Sequence, residues 1–368
     1  VLGGGQLGRM LIQEAIDLDI SIYCLDPDPN ASCKAIANQF TQGSLQDYQS
    51  VLDFGSDKDL ITVEIEHVNI EALEELEKRG VSVYPQPRIL KMIQDKGSQK
   101  EFYLKNNIPT ADFRLINSKK EITDEKQVFP IIQKMRRGGY DGKGVQVLNS
   151  EEDLSEAFEI PSVLEEKIDF EKELSVIVAR NQRGETSVFP VVECEFNPTL
   201  NLVEFLFAPA DISEKISEEA NTIALNIINK LEMVGLLAVE LFLTKSGKLL
   251  VNEIAPRPHN SGHHTIECNN TSQFEQHLRS ILNLPLGDTS ATQAGVMINI
   301  LGENGHHGPP LYNGLEELLS FPGVHPHIYG KKVTKPNRKM GHITITNMFI
   351  AEAKTLGRKI QGILKVQS

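Results

Sequence analysis

Two apolar segments, each with a single acid, constrain this chain more than any other feature. Leu236-Leu237-Ala238-Val239-Glu240-Leu241-Phe242-Leu243 and Leu249-Leu250-Val251-Asn252-Glu253-Ile254 flank the turn Lys245-Ser246-Gly247-Lys248. A two-residue hairpin centred on Ser246-Gly247 pairs 245 with 248 and, counting outward, 240 with 253. Opposed side chains share one sheet face, with Cβ atoms roughly 5 Å apart. Two carboxylates that close destabilise each other unless a positive group lies between them. Carboxylate oxygens suit a hard cation, and Mg2+ takes one or two protein carboxylates together with substrate phosphates. Two acids on a solvated face would sit poorly among these apolar neighbours. Past the second segment, Pro256 and Pro258 stop regular structure, and Arg257, His259, Asn260, His263 and His264 crowd the turn. A strand that delivers an acid into a rigid, donor-rich turn has the form of an active-site wall.

The chain is long enough for two or three domains. Its net charge of −13 argues against an extended nucleic-acid surface. A protein this acidic can handle phosphates only by concentrating its bases locally, and two such clusters exist. Arg136-Arg137-Gly138-Gly139-Tyr140-Asp141-Gly142-Lys143-Gly144 lies between two predicted strands, Val128–Met135 (with Lys134) and Val145–Leu148. This glycine-rich, cationic flap can wrap a polyphosphate with backbone amides. It lacks the G-K-[ST] ending of a P-loop and leads into a strand rather than a helix. The second cluster is Lys331, Lys332, Lys335, Arg338, Lys339 and His342. Cys24, Cys33, Cys194 and Cys268 show no metal or C-x-x-C spacing and read as free thiols of a reducing, cytoplasmic compartment. No apolar run approaches the roughly 18 residues of a membrane span, and no signal peptide is visible.

Taken in order, Val1 to Gly8 fits strand, G-x-G-x-x-G, helix, with a few residues expected ahead of Val1. The helix runs to about Leu18, and the strand Ile20–Leu25 ends in Asp26. The pattern resembles a dinucleotide fingerprint with its ribose acid. The glycines let amides approach a phosphate without saying whose. A helix from about Ser44, a strand Leu60–Val63, a helix Asn69–Arg79 and a strand Val81–Tyr84 extend a small parallel sheet. Glu64, at the carboxyl end of its strand, points into the crevice where such sheets bind ligands. Glu66 reads equally well as an ordinary loop acid. After the linker Pro85-Gln86-Pro87, one helix is predicted over Arg88–Asn106, with Lys96 near its middle and solvated on local pattern. A helix Glu151–Phe158, strands at Val163–Ile168, Leu174–Ala179, Ser187–Val192 and Leu202–Phe207, and the helix Glu214–Leu231 lead to the central hairpin. The helix Gln273–Leu282 and the strands Gly295–Leu301 and Val324–Tyr329 follow it.

The flap, the paired acids and N-E-I-A-P-R-P-H-N-S-G-H together resemble the ATP-grasp superfamily and, within it, the N5-carboxyaminoimidazole ribonucleotide synthetase family. The likeness runs from G-G-G-Q-L-G-R-M through G-G-Y-D-G-K-G to R-K-M-G-H. It implies a mixed α/β and α+β fold: a Rossmann-like parallel-sheet domain over 1–85, a two-part ATP-grasp domain over 86–290 and a small β-rich domain over 291–368. ATP and Mg2+ are the implied cofactors. Lys96 and Lys134 would contact the ATP phosphates, with Gly139, Tyr140, Asp141, Gly142, Lys143 and Gly144 covering them. Glu165, Glu166 and Ile168 would form the adenine-side hinge, and Glu173 would be the ribose acid. Glu240 and Glu253 would ligate the metal, with Asn252 beside them. Gln6, Leu7, Glu64, Tyr140, Asp141, Arg257, His259, Asn260, Lys331, Arg338 and Lys339 match the ribonucleotide positions. Arg257, His259, Asn260 and Lys134 are the candidate catalytic residues.

The implied reaction joins bicarbonate to 5-aminoimidazole ribonucleotide in a cytoplasmic homodimer, without nucleic-acid or membrane partners. The chain departs from the family at Phe196-Asn197, where a histidine is common, and at Lys335 and Asn337, where arginine and glycine are common. Other readings are a sibling ATP-grasp ligase such as the formate-dependent glycinamide ribonucleotide transformylase, an NAD-dependent dehydrogenase built on Gly3 to Asp26, and a non-catalytic nucleotide-binding module.

Overall fold

A computed structural model describes residues 1–123, 128–139, 144–197 and 202–368. The first segment builds a parallel sheet around Leu2, which bridges Leu25 on one side and Val63 on the other. Tyr23–Asp26 pairs onward with Gln39–Gln42, and Leu60–Ile61 with Ser82–Val83, all parallel. Helices Gln6–Asp17, Tyr48–Gly55 and Ile70–Lys78 connect these strands. Asp47 and Asn69 cap the second and third by accepting from Ser50 N and Ala72 N. Leu2, Leu25, Val51, Ile61, Leu73 and Leu76 form the core between sheet and helices. The strand Gln39–Gln42 was not anticipated; it is half exposed and carries no apolar run.

The predicted helix over 88–106 is two helices, Pro87–Ile93 and Lys96–Lys105. Asp95 separates them. Its carboxylate accepts from Gly97 N at 2.9 Å and Ser98 N at 3.3 Å, which makes it the cap of the second helix. Lys96 therefore stands at the first turn of a helix rather than mid-helix. The Asp95 carboxylate also accepts from Arg136 Nε at 2.8 Å and Nη2 at 2.9 Å, at the root of the glycine flap. Lys96 N donates to Arg136 O at 2.9 Å.

Two antiparallel sheets follow. The smaller has the order Phe113–Ile116, Ser162–Glu166, Ile131–Met135, Val145–Leu148. The larger has nine strands. It runs Leu249–Ala255, Gly235–Thr244, Phe170–Arg180, Val192–Asn197, Leu202–Ala208, Ala294–Leu301, Lys339–Asn347, Val324–Ile328, with Thr186–Val188 beside Phe170–Arg180. The C-terminal strands thus extend the sheet that carries the paired acids, through the register Phe205↔Ile298 and Phe207↔Val296. The helix Glu214–Leu231 buries Ala220, Ile223, Ala224, Ile227 and Ile228 against Leu174, Val176, Val178, Leu237 and Val239. The helix Ile350–Ile360 covers the C-terminal part, and Arg358 stacks on Phe205 while forming two 2.7 Å bonds to Glu195. A short 3-10 turn, Glu152–Glu156, replaces the predicted helix 151–158.

The central hairpin pairs Glu240 with Glu253, by a different route from the one predicted. The turn is one residue longer: Thr244 N donates to Lys248 O, and Leu243 pairs with Leu249, Phe242 with Leu250, and Leu241 with Val251. Left alone, that register would set Glu240 opposite Asn252. A β-bulge between Glu240 and Leu241 takes up Asn252 as the extra residue and restores Glu253 as the partner.

Asp95 is 7% exposed at its side chain, so its removal costs both a helix cap and two charged hydrogen bonds. Asp95→Ala is expected to lower the unfolding free energy by about 2–4 kcal/mol. Arg136 and the helix amides outweigh the upward push of burial and hold the Asp95 carboxyl below its usual value. Its contribution is therefore present above the unfolded carboxyl value of about 3.9 and is lost as pH falls through the lower folded value. Urea titrations of wild type and variant should differ at pH 7 and converge in strong acid.

Candidate active site

One face of the large sheet looks into a cleft against the small sheet. Alternation along the strands puts Glu253, Glu240, Ser175 and Glu173 on that face, through the pairs Glu240↔Glu253 and Glu240↔Ser175. Burial, and then Glu253, push the Glu240 carboxyl up to about 8. Lys96 Nζ donates to Glu253 Oε2 at 2.8 Å and is the main reason that Glu253 is held down to about 2. Burial raises Glu173 to about 7. Five elements thus meet here: three strands supply acids, the first turn of a helix supplies Lys96, and the turn after Ala255 supplies His259. His259 Nε2 lies 3.6 Å from Glu240 Oε1.

The opposite wall is cationic. Lys134 Nζ lies 2.9 Å from Glu165 Oε2 and donates to Asn252 Oδ1 at 3.0 Å, so it spans from the small sheet to the bulged residue of the large one. Lys100 Nζ lies 3.2 Å from Glu165 Oε1 and donates to Thr110 Oγ1 at 2.6 Å. Burial pushes Lys100 down to about 8. Burial pushes Glu165 up, but the two lysines outweigh it and hold the carboxyl below its ordinary range. Glu166 is exposed at the strand end, and Ile168 follows in the connection to the next strand. Gly139 and Gly144 stand at the base of the flap, Gly144 at φ +79°. Tyr140, Asp141, Gly142 and Lys143 lie outside the described residues.

The proline turn is held from below. Gln273 accepts from His259 N and donates to His259 O, both at 2.8 Å. Gly262 leaves room for this clamp, because a Cβ there would collide with Gln273 and Ile177. His259 Nδ1 is 2.9 Å from Ser261 Oγ, which is 2.7 Å from Ser175 Oγ. His263, His342 and His327 stack behind the turn, with centroids 4.7 Å and 4.4 Å apart. The Asn260 side-chain oxygen and nitrogen are buried and have no partner among the described residues. Arg257 Nε lies 2.8 Å from Glu66 Oε1. Glu66, indistinguishable from a loop acid in the sequence, therefore ties the N-terminal segment to this turn.

At the first glycine turn, Gly5 N and Leu7 N donate to the Glu64 carboxylate, and Gly4 N donates to Asp26 Oδ2 at 2.7 Å. A Cβ at Gly5 would collide with Glu64. Burial raises Glu64 to about 7. The amides that a dinucleotide phosphate would need are thus taken by two carboxylates, which speaks against the dehydrogenase reading. Gln6 and Leu7 open the helix over this turn. On the C-terminal side, Lys331 Nζ donates to Lys339 O at 2.5 Å, and Arg338 Nη1 donates to Val333 O at 2.7 Å. The positive charge of Lys339 is felt at Glu240. Asn337 has φ +62°, a left-handed conformation that asparagine tolerates, so it can stand where the family commonly has glycine. Among the described residues no helix is long and apolar enough to cross a membrane.

Two facing antiparallel sheets, lysines on one wall and paired carboxylates on the other, define an ATP-grasp enzyme. Residues 101–274 match the ATP-grasp domain, 1–94 the ribonucleotide synthetase preATP-grasp domain, and 295–355 the phosphoribosylaminoimidazole carboxylase C-terminal domain. The crystal structure of N5-carboxyaminoimidazole ribonucleotide synthetase from Thermotoga maritima is 42% identical, with a TM-score of 0.92 over 100% of this chain and 98% of that one. The Aspergillus clavatus N5-carboxyaminoimidazole synthase in complex with ADP and 5-aminoimidazole ribonucleotide is 34% identical, with a TM-score of 0.90 over 98% of this chain and 96% of that one. The chloroplastic phosphoribosylaminoimidazole carboxylase of Vigna aconitifolia is 42% identical over 96% of this chain, which spans 65% of the length of that relative. The chain belongs to the N5-carboxyaminoimidazole ribonucleotide synthetase family.

The three raised carboxyls predict how the ligand-free protein responds to pH. A raised carboxyl keeps its proton longer in the folded state than in the unfolded chain, so stability falls with pH between the two values. An unperturbed histidine is half titrated at about pH 6.5, and the contribution of buried histidines such as His264 and His277, pushed down to about 4, is common to wild type and variant. Between pH 6.5 and 8 the variant Glu173→Gln/Glu240→Gln is expected to lose about 2 kcal/mol less stability than wild type. Denaturant midpoints across that window measure it, and parallel slopes would contradict the assigned shifts.

Proposed function

We propose that the chain carboxylates 5-aminoimidazole ribonucleotide on its exocyclic amine, using ATP and bicarbonate and giving N5-carboxyaminoimidazole ribonucleotide, ADP and phosphate. The observation that carries this reading is the Glu240–Glu253 pair facing Lys96 and Lys134 across the cleft. The ligands in the Aspergillus clavatus relative supply the substrate class. The four free thiols are in keeping with a cytoplasmic location, and that location and a homodimer belong to the same proposal.

Lys134 and Lys96 would exchange their protein partners for triphosphate oxygens when the nucleotide enters. Bicarbonate is a poor electrophile. Transfer of the γ-phosphoryl group to one of its oxygens forms carboxyphosphate and releases ADP. Cleavage of the carboxyphosphate C–O bond then frees phosphate and leaves CO2 beside the amine, which adds to carbon and loses a proton to give the carbamate. Catalysis of such a transfer rests on positioning and charge stabilisation. The Arg257 guanidinium suits a planar oxyanion, and Glu66 fixes its direction. Asn260 offers a donor and an acceptor to the intermediate and the amine. His259, held by Gln273 and Ser261, orients the same groups. The flap 136–144 would keep out the water that hydrolyses carboxyphosphate.

The acid pair fits a divalent cation. Burial and then the neighbouring Glu253 raise Glu240 to about 8; Glu240 and Glu253 would hold the cation, whose charge would offset their repulsion, with the neutral oxygen of Asn252 beside them. Mg2+ held there would neutralise charge on the transferring phosphate.

Arg257→Ala is expected to abolish carbamate formation while nucleotide affinity stays within about threefold. Product analysis with labelled bicarbonate and an ADP titration check the two halves, and unchanged turnover would refute the role. Because Glu240 is largely protonated at neutral pH, Mg·ATP binding at pH 7 should release close to one proton. Calorimetry in buffers of different ionisation enthalpy should find that release in wild type and not in Glu240→Gln.

A further inference from the structure

We infer that Lys100 is a positioning residue: by neutralising the Glu165 carboxylate that it shares with Lys134, it keeps Lys134 available to the triphosphate. This rests on the ATP reading above and deepens it.

Lys100 follows Lys96 by one helical turn, so the two face the same way from the helix Lys96–Lys105. Lys96 reaches the cleft, whereas the Lys100 side chain is 4% exposed. Two of its contacts are fixed: Glu165 Oε1 at 3.2 Å and Thr110 Oγ1 at 2.6 Å. Thr110 in turn donates to Val251 O at 2.8 Å, which ties the lysine to the acid-bearing strand. Glu165 is 5% exposed and divides its two oxygens between the two lysines. Lys134 remains the more accessible of the pair, at 13%.

The charge count then decides the role. One carboxylate between two ammonium groups leaves a net charge of about +1, which the triphosphate can use through Lys134. Without Lys100, Glu165 and Lys134 close into a neutral buried pair, and the phosphate must compete with Glu165 for the same ammonium group. Too deep to touch the nucleotide, Lys100 acts through Glu165.

The test compares wild type, Lys100→Met, Glu165→Gln and the double variant. It reads the KM for ATP, kcat, affinity for a non-hydrolysable ATP analogue with Mg2+, and the melting temperature. Lys100→Met is expected to raise the KM for ATP about tenfold, with kcat falling less. In the Glu165→Gln background, where no carboxylate is left to compete, removing Lys100 should change that KM by less than about threefold. If Lys100→Met does not fold, the comparison of Glu165→Gln with the double variant, in which Lys134 keeps Asn252 as a partner and no carboxylate competes for it, still decides. A tenfold loss in that background would mean that Lys100 serves the nucleotide directly, and would overturn the inference. So would an unchanged KM in a folded Lys100→Met. Failure of wild type to bind the analogue would overturn the ATP reading and this inference with it. Wild-type binding alongside an indifferent Lys100→Met sinks the inference alone.

Discussion

The structure depends on two carboxyl groups held face to face, only one of which readily carries a charge. Glu240 and Glu253 are opposed on one sheet face, and no local feature of the hairpin relieves them. Relief comes from elsewhere: Lys96 from a helix start, His259 from the proline turn, and the field of Lys339 from the C-terminal strand. The elements that bring Lys96, His259 and Lys134 to the site are themselves fixed by buried polar contacts. Asp95 caps the Lys96 helix, Gln273 clamps His259, and Glu165 holds Lys134. Unpaired, any of these buried groups would be costly. The polar network therefore specifies the site geometry more tightly than apolar packing could.

How much of this the sequence reveals depends on how local each feature is. The two strands are legible because their apolar runs are bounded by turn residues, and a two-residue turn gives the right acid pairing only because two departures from it cancel. The turn has three residues rather than two, and the bulge at Asn252 takes up the difference. A trace of the bulge was available: Val251 and Ile254 both enter the core, separated by two polar residues where plain alternation allows one. The helix Glu214–Leu231 was readable to the residue, since Ser213 caps it and its apolar stripe is unbroken. The break at Asp95 was hidden, because an aspartate inside a continuous helical pattern announces a cap only when its amide partners are known.

Other features could not be read at all. Lys100 looks like any solvated helix lysine until the small sheet places Glu165 against it. The Glu66–Arg257 contact joins residues far apart in the chain. The strand Lys339–Asn347 begins inside a basic cluster and buries Thr344 and His342 among its aliphatic residues, so composition disguises it. In each case the deciding partner lies on another element, and no window of the sequence contains both.

The unbroken nine-stranded sheet has a mechanical consequence. Because Leu202–Ala208 is hydrogen-bonded to Ala294–Leu301 and so on to Lys339–Asn347, the carboxylate pair and the C-terminal lysines ride on a single hydrogen-bonded plate. Such a plate cannot hinge between its strands without breaking a row of backbone bonds. Any tightening around a nucleotide would therefore fall to the small four-stranded sheet, a jaw against a fixed anvil.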